Sequence, residues 1–220
     1  MRRVAVCALL EDHGVEMGKS TEQPVAFPIA RKVLPRPVYL WAKDLRNAWR
    51  VRRDPSRILL VKEILPAYAA LGGRILWVGC RRYTREYGPL LKRYGGELWT
   101  IDIEIAHASW GERGRHFTWD LLEIDRLVAA GSFDSVLCNG VFGFGVDTRE
   151  SQLAALQAMG AILKPGGRLL LGWNTDRVED PMTLEFVRDA FAGDAPTGQG
   201  ARIAVPESAY VYDFLRRRQS

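Results

Sequence analysis

Two residues at a telling separation carry the first chemical signal in this chain. Gly79 follows the short apolar stretch Ile75-Leu76-Trp77-Val78, and Asp102 closes a second one, Leu98-Trp99-Thr100-Ile101. A glycine at a strand-to-helix turn lets a ligand approach the backbone closely. A carboxylate roughly 20 residues further on accepts hydrogen bonds from ribose hydroxyls, the means by which a doubly wound sheet holds a nucleotide-like cofactor. Asp120 closes a third apolar stretch, and Asn139-Gly140 closes a fourth, Phe133-Asp134-Ser135-Val136-Leu137-Cys138. Proton acceptors near these positions are Tyr83, Glu104, His107, His116 and Asp147, histidine being suited by its pKa. The sequence contains no nucleophilic triad, P-loop or metal-ligand spacing. The plainer reading of Asp102 and Asp120 is a helix N-cap, because aspartate is a favoured capping residue and both precede helical segments.

The elements that must position these residues alternate strand and helix, the signature of right-handed crossovers on a parallel sheet. The pattern predicts strands at Ile75 to Val78, Leu98 to Ile101, Phe117 to Trp119, Phe133 to Cys138 and Arg168 to Leu171. Helices are predicted over Arg82 to Tyr94, Glu104 to Trp110, Leu121 to Ala130 and about Arg149 to Leu163, with Lys164-Pro165-Gly166-Gly167 as a tight turn. Ahead of the sheet, Asp54 with Pro55 reads as a cap and first helical position. Ile58, Leu59, Val61, Ile64, Leu65 and Tyr68 then form the apolar face of a helix that runs to about Leu71, with a bend at Pro66.

In its strand-four phrase ending at Asn139, and in Leu163-Lys164-Pro165-Gly166-Gly167-Arg168-Leu169-Leu170-Leu171, the chain resembles the class I S-adenosylmethionine-dependent methyltransferases over about residues 72 to 215. The resemblance implies an α/β fold with a doubly wound, mostly parallel seven-stranded Rossmann-like sheet, a C-terminal antiparallel hairpin (Arg202 to Val205 and Tyr210 to Leu215) and an N-terminal helical extension. It implies S-adenosylmethionine as cofactor, with Gly79, Cys80 and Tyr83 at the first loop, Asp102 and Ile103 at the ribose, Asp120 and Leu121 at the adenine, and Asn139 and Gly140 where sulfonium and nucleophile meet. The first loop departs from the family pattern. Where an acid and three alternating glycines are usual, this chain has Trp77, Gly79, Arg81 and Tyr83. Either Tyr83 and Thr84 contact the cofactor in a variant loop or cofactor binding is lost. Arg81, Arg82 and Arg85 cluster beside it, as an anion site or as solvated charge. The segment Trp173-Asn174-Thr175-Asp176 and the stretch Val141-Phe142-Gly143-Phe144-Gly145 are candidates for shaping an acceptor pocket, Phe142 and Phe144 being equally readable as core.

Composition narrows the setting. The chain has 220 residues, 47% hydrophobic, enough for one domain with an extension. Three scattered cysteines, Cys7, Cys80 and Cys138, give neither a disulfide framework nor a zinc site, and a reducing cytoplasm is the expected location. No apolar run reaches the roughly 20 residues of a spanning helix. Charge is +7 over residues 1 to 74 and −2 over the rest, for a net of +5. Residues 1 to 37 are read as irregular, with six Gly and Pro breakers between 11 and 37. Residues 38 to 71 are read as a basic helical extension or lid, and residues 72 to 220 as the methyltransferase-like domain.

Within the extension, Val38, Trp41, Leu45, Ala48 and Trp49 fall at helical spacing among Lys43, Arg46, Arg50, Arg52 and Arg53. Such a helix either packs its tryptophans on the main domain or meets a membrane surface or an anionic substrate, which admits peripheral membrane contact through residues 38 to 53. Nucleic acid is the least favoured partner, the basic signal being confined to one helix. The expected reaction is transfer of a methyl group to an O, N or C nucleophile of a small or lipid-linked metabolite. The alternative from another class is a non-catalytic scaffold with a degenerate loop. A nicotinamide oxidoreductase ranks below both, lacking the third glycine and a Tyr-x-x-x-Lys pair.

Overall fold

In the computed structural model, residues 53 to 219 are described. The expectations for residues 1 to 37 and for the tryptophan-bearing helix of residues 38 to 52 lie outside them. The first element begins where the sequence places it. Asp54 accepts the Ser56 amide at 2.8 Å and Ser56 Oγ at 2.5 Å, capping α1 (Pro55–Leu59) with Pro55 in the first turn. The chain continues through a π-helical turn, Leu60–Ile64, into α2 (Leu65–Leu71). Pro66 has no N–H for the carbonyl of Lys62 and its ring crowds that carbonyl, so the turn before it widens. The expected bend is therefore taken up one turn earlier. Gly72, at φ +67°, ends the helix.

The strands are β1 (Arg74–Val78), β2 (Glu97–Asp102), β3 (His116–Thr118), β4 (Phe133–Asn139), β5 (Leu163–Asn174), β6 (Phe191–Gly193), β7 (Arg202–Ala204) and β8 (Tyr210–Arg217). They form one sheet in the order β3-β2-β1-β4-β5-β8-β6, with β7 also on β8. The first five are parallel, and β8 runs antiparallel to β5. The sheet is seven strands wide as expected, but its last position is shared. β6 pairs Phe191 with Arg217, and β7 pairs Arg202 with Asp213, both alongside β8. β6 is too short to register in the sequence.

Both faces are covered, as the continuous apolar runs of parallel strands require. Ile75, Trp77, Leu137, Leu170, Tyr212 and Phe214 meet Leu60, Ile64, Leu65 and Tyr68 of the first helix and Tyr87 and Leu91 of α3 (Tyr87–Leu91). Burial of each of these aliphatic side chains contributes roughly 1.5 to 3 kcal/mol. Leu76, Val78, Val136, Cys138, Leu169 and Leu171 face the other way, onto Ala155, Leu156, Met159 and Ile162 of α4 (Arg149–Ile162) and Val187 of α5 (Glu185–Ala190). Among the described residues no helix is long and apolar enough to cross a membrane.

Three sequence expectations are corrected here. The helix after β1 is a 3-10 turn, Arg82–Glu86, followed by α3, and it stops at Leu91 rather than Tyr94. The segments Ile105–Trp110 and Leu121–Arg126 are likewise 3-10 turns, the second broken at Glu123, where φ is −124° and ψ 15°. Lys164 to Gly167 is not a turn into the strand but a bulge inside β5. Phe133 pairs with Leu163 and Ser135 with Arg168, so four residues oppose Asp134. Pro165 cannot donate to the ladder, Gly166 takes φ +74°, and Lys164 Nζ closes the bulge on Asp134 Oδ1 at 2.6 Å.

Candidate functional site

The carboxyl ends of β1, β2 and β4 lie side by side and bring Gly79, Cys80, Asp102, Asn139 and Gly140 to one edge of the sheet. Gly79 turns the chain at φ +83°, a conformation other residues rarely adopt, and its amide donates to the Ile101 carbonyl at 2.8 Å. Trp77 donates its indole N–H to the Gly79 carbonyl at 2.6 Å, so the tryptophan ties down the turn. Beyond it, Thr84 Oγ1 accepts the Arg81 amide and donates to the Arg81 carbonyl, both at 2.9 Å, fixing the start of the 3-10 turn.

Asp102 is buried and accepts four donors. Its Oδ2 takes the Cys80 amide at 2.6 Å and Arg81 Nη1 at 3.0 Å; its Oδ1 takes the Glu104 amide at 2.9 Å and meets His107 Nδ1 at 3.0 Å. Burial raises its pKa, but these donors more than offset that, and the carboxyl titrates below its ordinary value. Arg81 Nη1 also lies 2.7 Å from His107 Nδ1, so the arginine and the carboxylate compete for one imidazole nitrogen. His107, Arg81 and Asp102 thus form one cluster, although the sequence places His107 only as a proton acceptor in a short helix.

The remaining expected residues divide. Asp120 caps the 3-10 turn that follows it, accepting the Leu122 amide at 2.9 Å, with Leu121 buried beside it. Ile103 is 64% exposed next to Asp102, and Ile105 (73%) and Trp119 (41%) leave apolar surface uncovered nearby. The amide of Trp119 donates to the Asp102 carbonyl at 3.2 Å, which keeps this surface beside Asp102. Tyr83 is half-buried beneath the Arg57 guanidinium, 5.5 Å from ring centre to Cζ. Trp173 belongs to the core, not to a pocket, with its indole N–H on buried Asp213 at 2.8 Å. Phe142 is fully buried, whereas Phe144 is exposed under Arg177. Asp147 accepts the Gly145 amide at 3.0 Å. His116 bonds Thr100 Oγ1 at 2.9 Å, and burial, opposed by Asp102, lowers its pKa. Burial and the adjacent Asp102 push the Cys80 thiol up to about 11.

At the end of β4 the structure adds residues that the motifs do not name. Asn139 Oδ1 accepts the Tyr210 hydroxyl at 2.8 Å, while Asn139 Nδ2 is buried without a partner. Gly140, at φ +68°, is bare enough that a Cβ would stand 3.3 Å from Arg57 Nη2. A Cβ on Gly172 would overlap Asn139 Oδ1, so Gly172 keeps this amide in place. Tyr212 donates to the Ser56 carbonyl at 2.9 Å and fastens α1 over the same strand ends.

No protein-family model matches the chain, and no curated protein matches its sequence. Solved structures do match. N-methyltransferase NodS from Bradyrhizobium japonicum WM9, in complex with S-adenosyl-L-homocysteine, aligns at TM-score 0.58 and 18% identity over 77% of this chain and 91% of that one. A TehB-like S-adenosylmethionine-dependent methyltransferase from Corynebacterium glutamicum aligns at 0.55 and 17%, over 81% and 99%. The Burkholderia thailandensis 1,6-didemethyltoxoflavin-N1-methyltransferase aligns at 0.50 and 19%, over 90% and 93%.

The chain has the class I methyltransferase fold. Gly79, Asp102 and Asn139 lie at the carboxyl edge of the sheet, and ligands of open α/β sheets bind at such edges. A cavity of about 470 Å³ lined by Gly73, Arg74, Asp134 and Lys164 lies at the opposite edge, where β1, β2 and β4 begin.

Proposed function

We propose that this chain is an S-adenosylmethionine-dependent methyltransferase acting on an O, N or C nucleophile of a small or lipid-linked metabolite. The observation that carries this reading is Asp102: a buried carboxylate on the second strand, beside the Gly79 turn on the first, in a sheet of this strand order. The residues present fit the cofactor. The amides of Cys80 and Glu104 hold the carboxylate in place, while the lone pairs now taken by the side chains of Arg81 and His107 are those that two ribose hydroxyls require. Arg81 is about half exposed, and to open the carboxylate it would leave its contacts with the Cys80 carbonyl, Asp102 and His107 and turn into solvent. The uncovered faces of Ile103 and Trp119 suit an adenine ring.

When bound, S-adenosylmethionine supplies a methyl group on a cationic sulfur, already activated for displacement. The chain's task is then to orient and to exclude water. Gly79 admits the ligand close to the backbone. Asn139, Gly140 and Tyr210 order the strand end where the acceptor enters. His107 lies on the sugar side of Asp102, so it is read as a positioning residue. Residues 38 to 53, basic and rich in tryptophan, are read as the part that meets a membrane-bound acceptor, in a cytoplasmic protein.

The second reading is a non-catalytic scaffold with this fold. The observation favouring it is that Asp102 is already fully partnered from within the chain. Calorimetry of the full-length protein with S-adenosylhomocysteine separates the two. The enzyme reading expects one site, weakened at least tenfold in Asp102→Asn; heats indistinguishable from dilution favour the scaffold.

A further inference from the structure

The first helix carries a charge on its buried face. Arg57 stands in line with Leu60, Ile64 and Tyr68 at helical spacing, and those three are fully buried. Its guanidinium lies over the rings of Tyr83 at 5.5 Å and Tyr210 at 5.9 Å, with Tyr87 and Tyr212 close by. Arginine stays charged at any pH the fold survives. Yet among the described residues no carboxylate pairs with it, and Nη1 is buried without a hydrogen-bond partner.

Arg57 as a whole is half-buried, but its Nη1 is sealed from water, and native proteins keep such buried donors paired. A second buried donor, Asn139 Nδ2, is also without a partner. The two side chains meet through Tyr210, whose hydroxyl holds Asn139 Oδ1 at 2.8 Å and whose ring lies under Arg57. Gly140, without a side chain, separates them at the end of β4, and a Cβ there would stand 3.6 Å from the Tyr210 hydroxyl and 3.3 Å from Arg57 Nη2. The complement of two unpaired donors, one of them charged, is a compact group that only accepts and carries negative charge. The planar fork of arginine matches a carboxylate.

We propose that Arg57 and Asn139 together bind a carboxylate, belonging either to the amino-acid end of the cofactor or to the methyl acceptor. The assignment deepens the proposed function and rests on it for the choice of the two sources. Tyr83 and Tyr210 place their rings against the guanidinium, so the anion meets a preorganised charge.

Titration calorimetry with the full-length protein and Arg57→Met tests this in two arms. In the first, S-adenosylhomocysteine is compared with 5′-methylthioadenosine, which lacks the amino-acid end. If the carboxylate is the cofactor's, Arg57→Met weakens the former about 30-fold or more and leaves the latter unchanged. In the second, acetate and benzoate are compared with their amides, with and without S-adenosylhomocysteine. If the carboxylate is the acceptor's, the wild type binds an acid and not its amide, and Arg57→Met loses the difference. Arg57→Met is expected to melt within a few degrees of the wild type, because it removes an unpaired buried N–H together with the cation's contacts on the Tyr83 and Tyr210 rings. Should that variant fail to fold, the preference of the wild type for acid over amide, or for S-adenosylhomocysteine over methylthioadenosine, decides. No carboxylate preference in either arm overturns the assignment. Failure of S-adenosylhomocysteine to bind overturns the methyltransferase reading instead, and leaves the acid-against-amide arm standing as its own test.

Discussion

Arg81 Nη1 lies 3.0 Å from Asp102 Oδ2, so the arginine beside the Gly79 turn occupies the carboxylate proposed to hold the ribose. Asp102 is buried but Arg81 is about half exposed, so the arginine's side of the pair is screened by solvent. With the Cys80 and Glu104 amides still bonded to the carboxylate, loss of the arginine does not leave it without donors. Removing the arginine should therefore leave the fold intact and the carboxylate open. Arg81→Ala is expected to melt within a few degrees of the wild type and to bind S-adenosylhomocysteine several-fold more tightly by calorimetry. Weaker binding would make Arg81 a ligand contact rather than a competitor.

Gly172 tests whether Asn139 needs its present place. A Cβ at this position would overlap Asn139 Oδ1 and stand 3.0 Å from the Tyr210 hydroxyl, with no backbone strain involved. Gly172→Ala is expected to cost about 1 to 3 kcal/mol in urea unfolding and to weaken ligand binding at the end of β4. A variant as stable as the wild type would show that these side chains move freely.

The acid limb of stability follows from three carboxylates. Asp102, Asp134 and Asp180 all titrate below their ordinary values. For Asp102 and Asp134 burial opposes the shift and hydrogen bonds outweigh it; for Asp180 the bond from Arg202 leads. A depressed folded pKa contributes stability that is complete above the unfolded value, about 4, and is lost as pH falls through the folded value. Melting temperature should thus hold down to about pH 5 and fall below it. Asp180→Asn, whose partner Arg202 also holds Asp213, should flatten that fall. An identical slope in the variant would contradict the assignment.

Cys80 and Cys138 are buried thiols, and burial pushes both pKa values up, that of Cys80 to about 11. At pH 8 neither is a thiolate, so iodoacetamide should leave both unmodified in the native protein and alkylate both after denaturation, as read by peptide mass mapping. Rapid native labelling of Cys80 would show that the Gly79 loop opens.

Much of the sheet is legible in the sequence because parallel strands read as apolar runs that end at polar residues: Val78 before Gly79, Ile101 before Asp102, Cys138 before Asn139. The bulge at Lys164 to Gly167 is not, since a proline and two glycines signal a turn equally well, and only the pairing of Phe133 with Leu163 reveals a strand around them. Trp173 misleads for a similar reason. An indole after a strand reads as a pocket wall until its N–H is seen on Asp213. In the site, Asp102 is found by spacing, but its competitor Arg81 requires knowledge of where a long side chain lies. Arg57 has a signal that periodicity does contain, a lone cation on the stripe of Leu60, Ile64 and Tyr68. The tyrosines of β8 that surround it come from the far end of the chain.

The central claim is best tested by a crystal structure of the full-length protein with S-adenosylhomocysteine. The account predicts density along the ends of β1, β2 and β4, with both ribose hydroxyls on Asp102, Arg81 turned out to solvent and the sulfur facing Asn139. Ligand in the cavity lined by Gly73, Arg74 and Asp134 at the opposite edge, or Asp102 still held by Arg81 and His107 with no ligand beside it, would contradict the account.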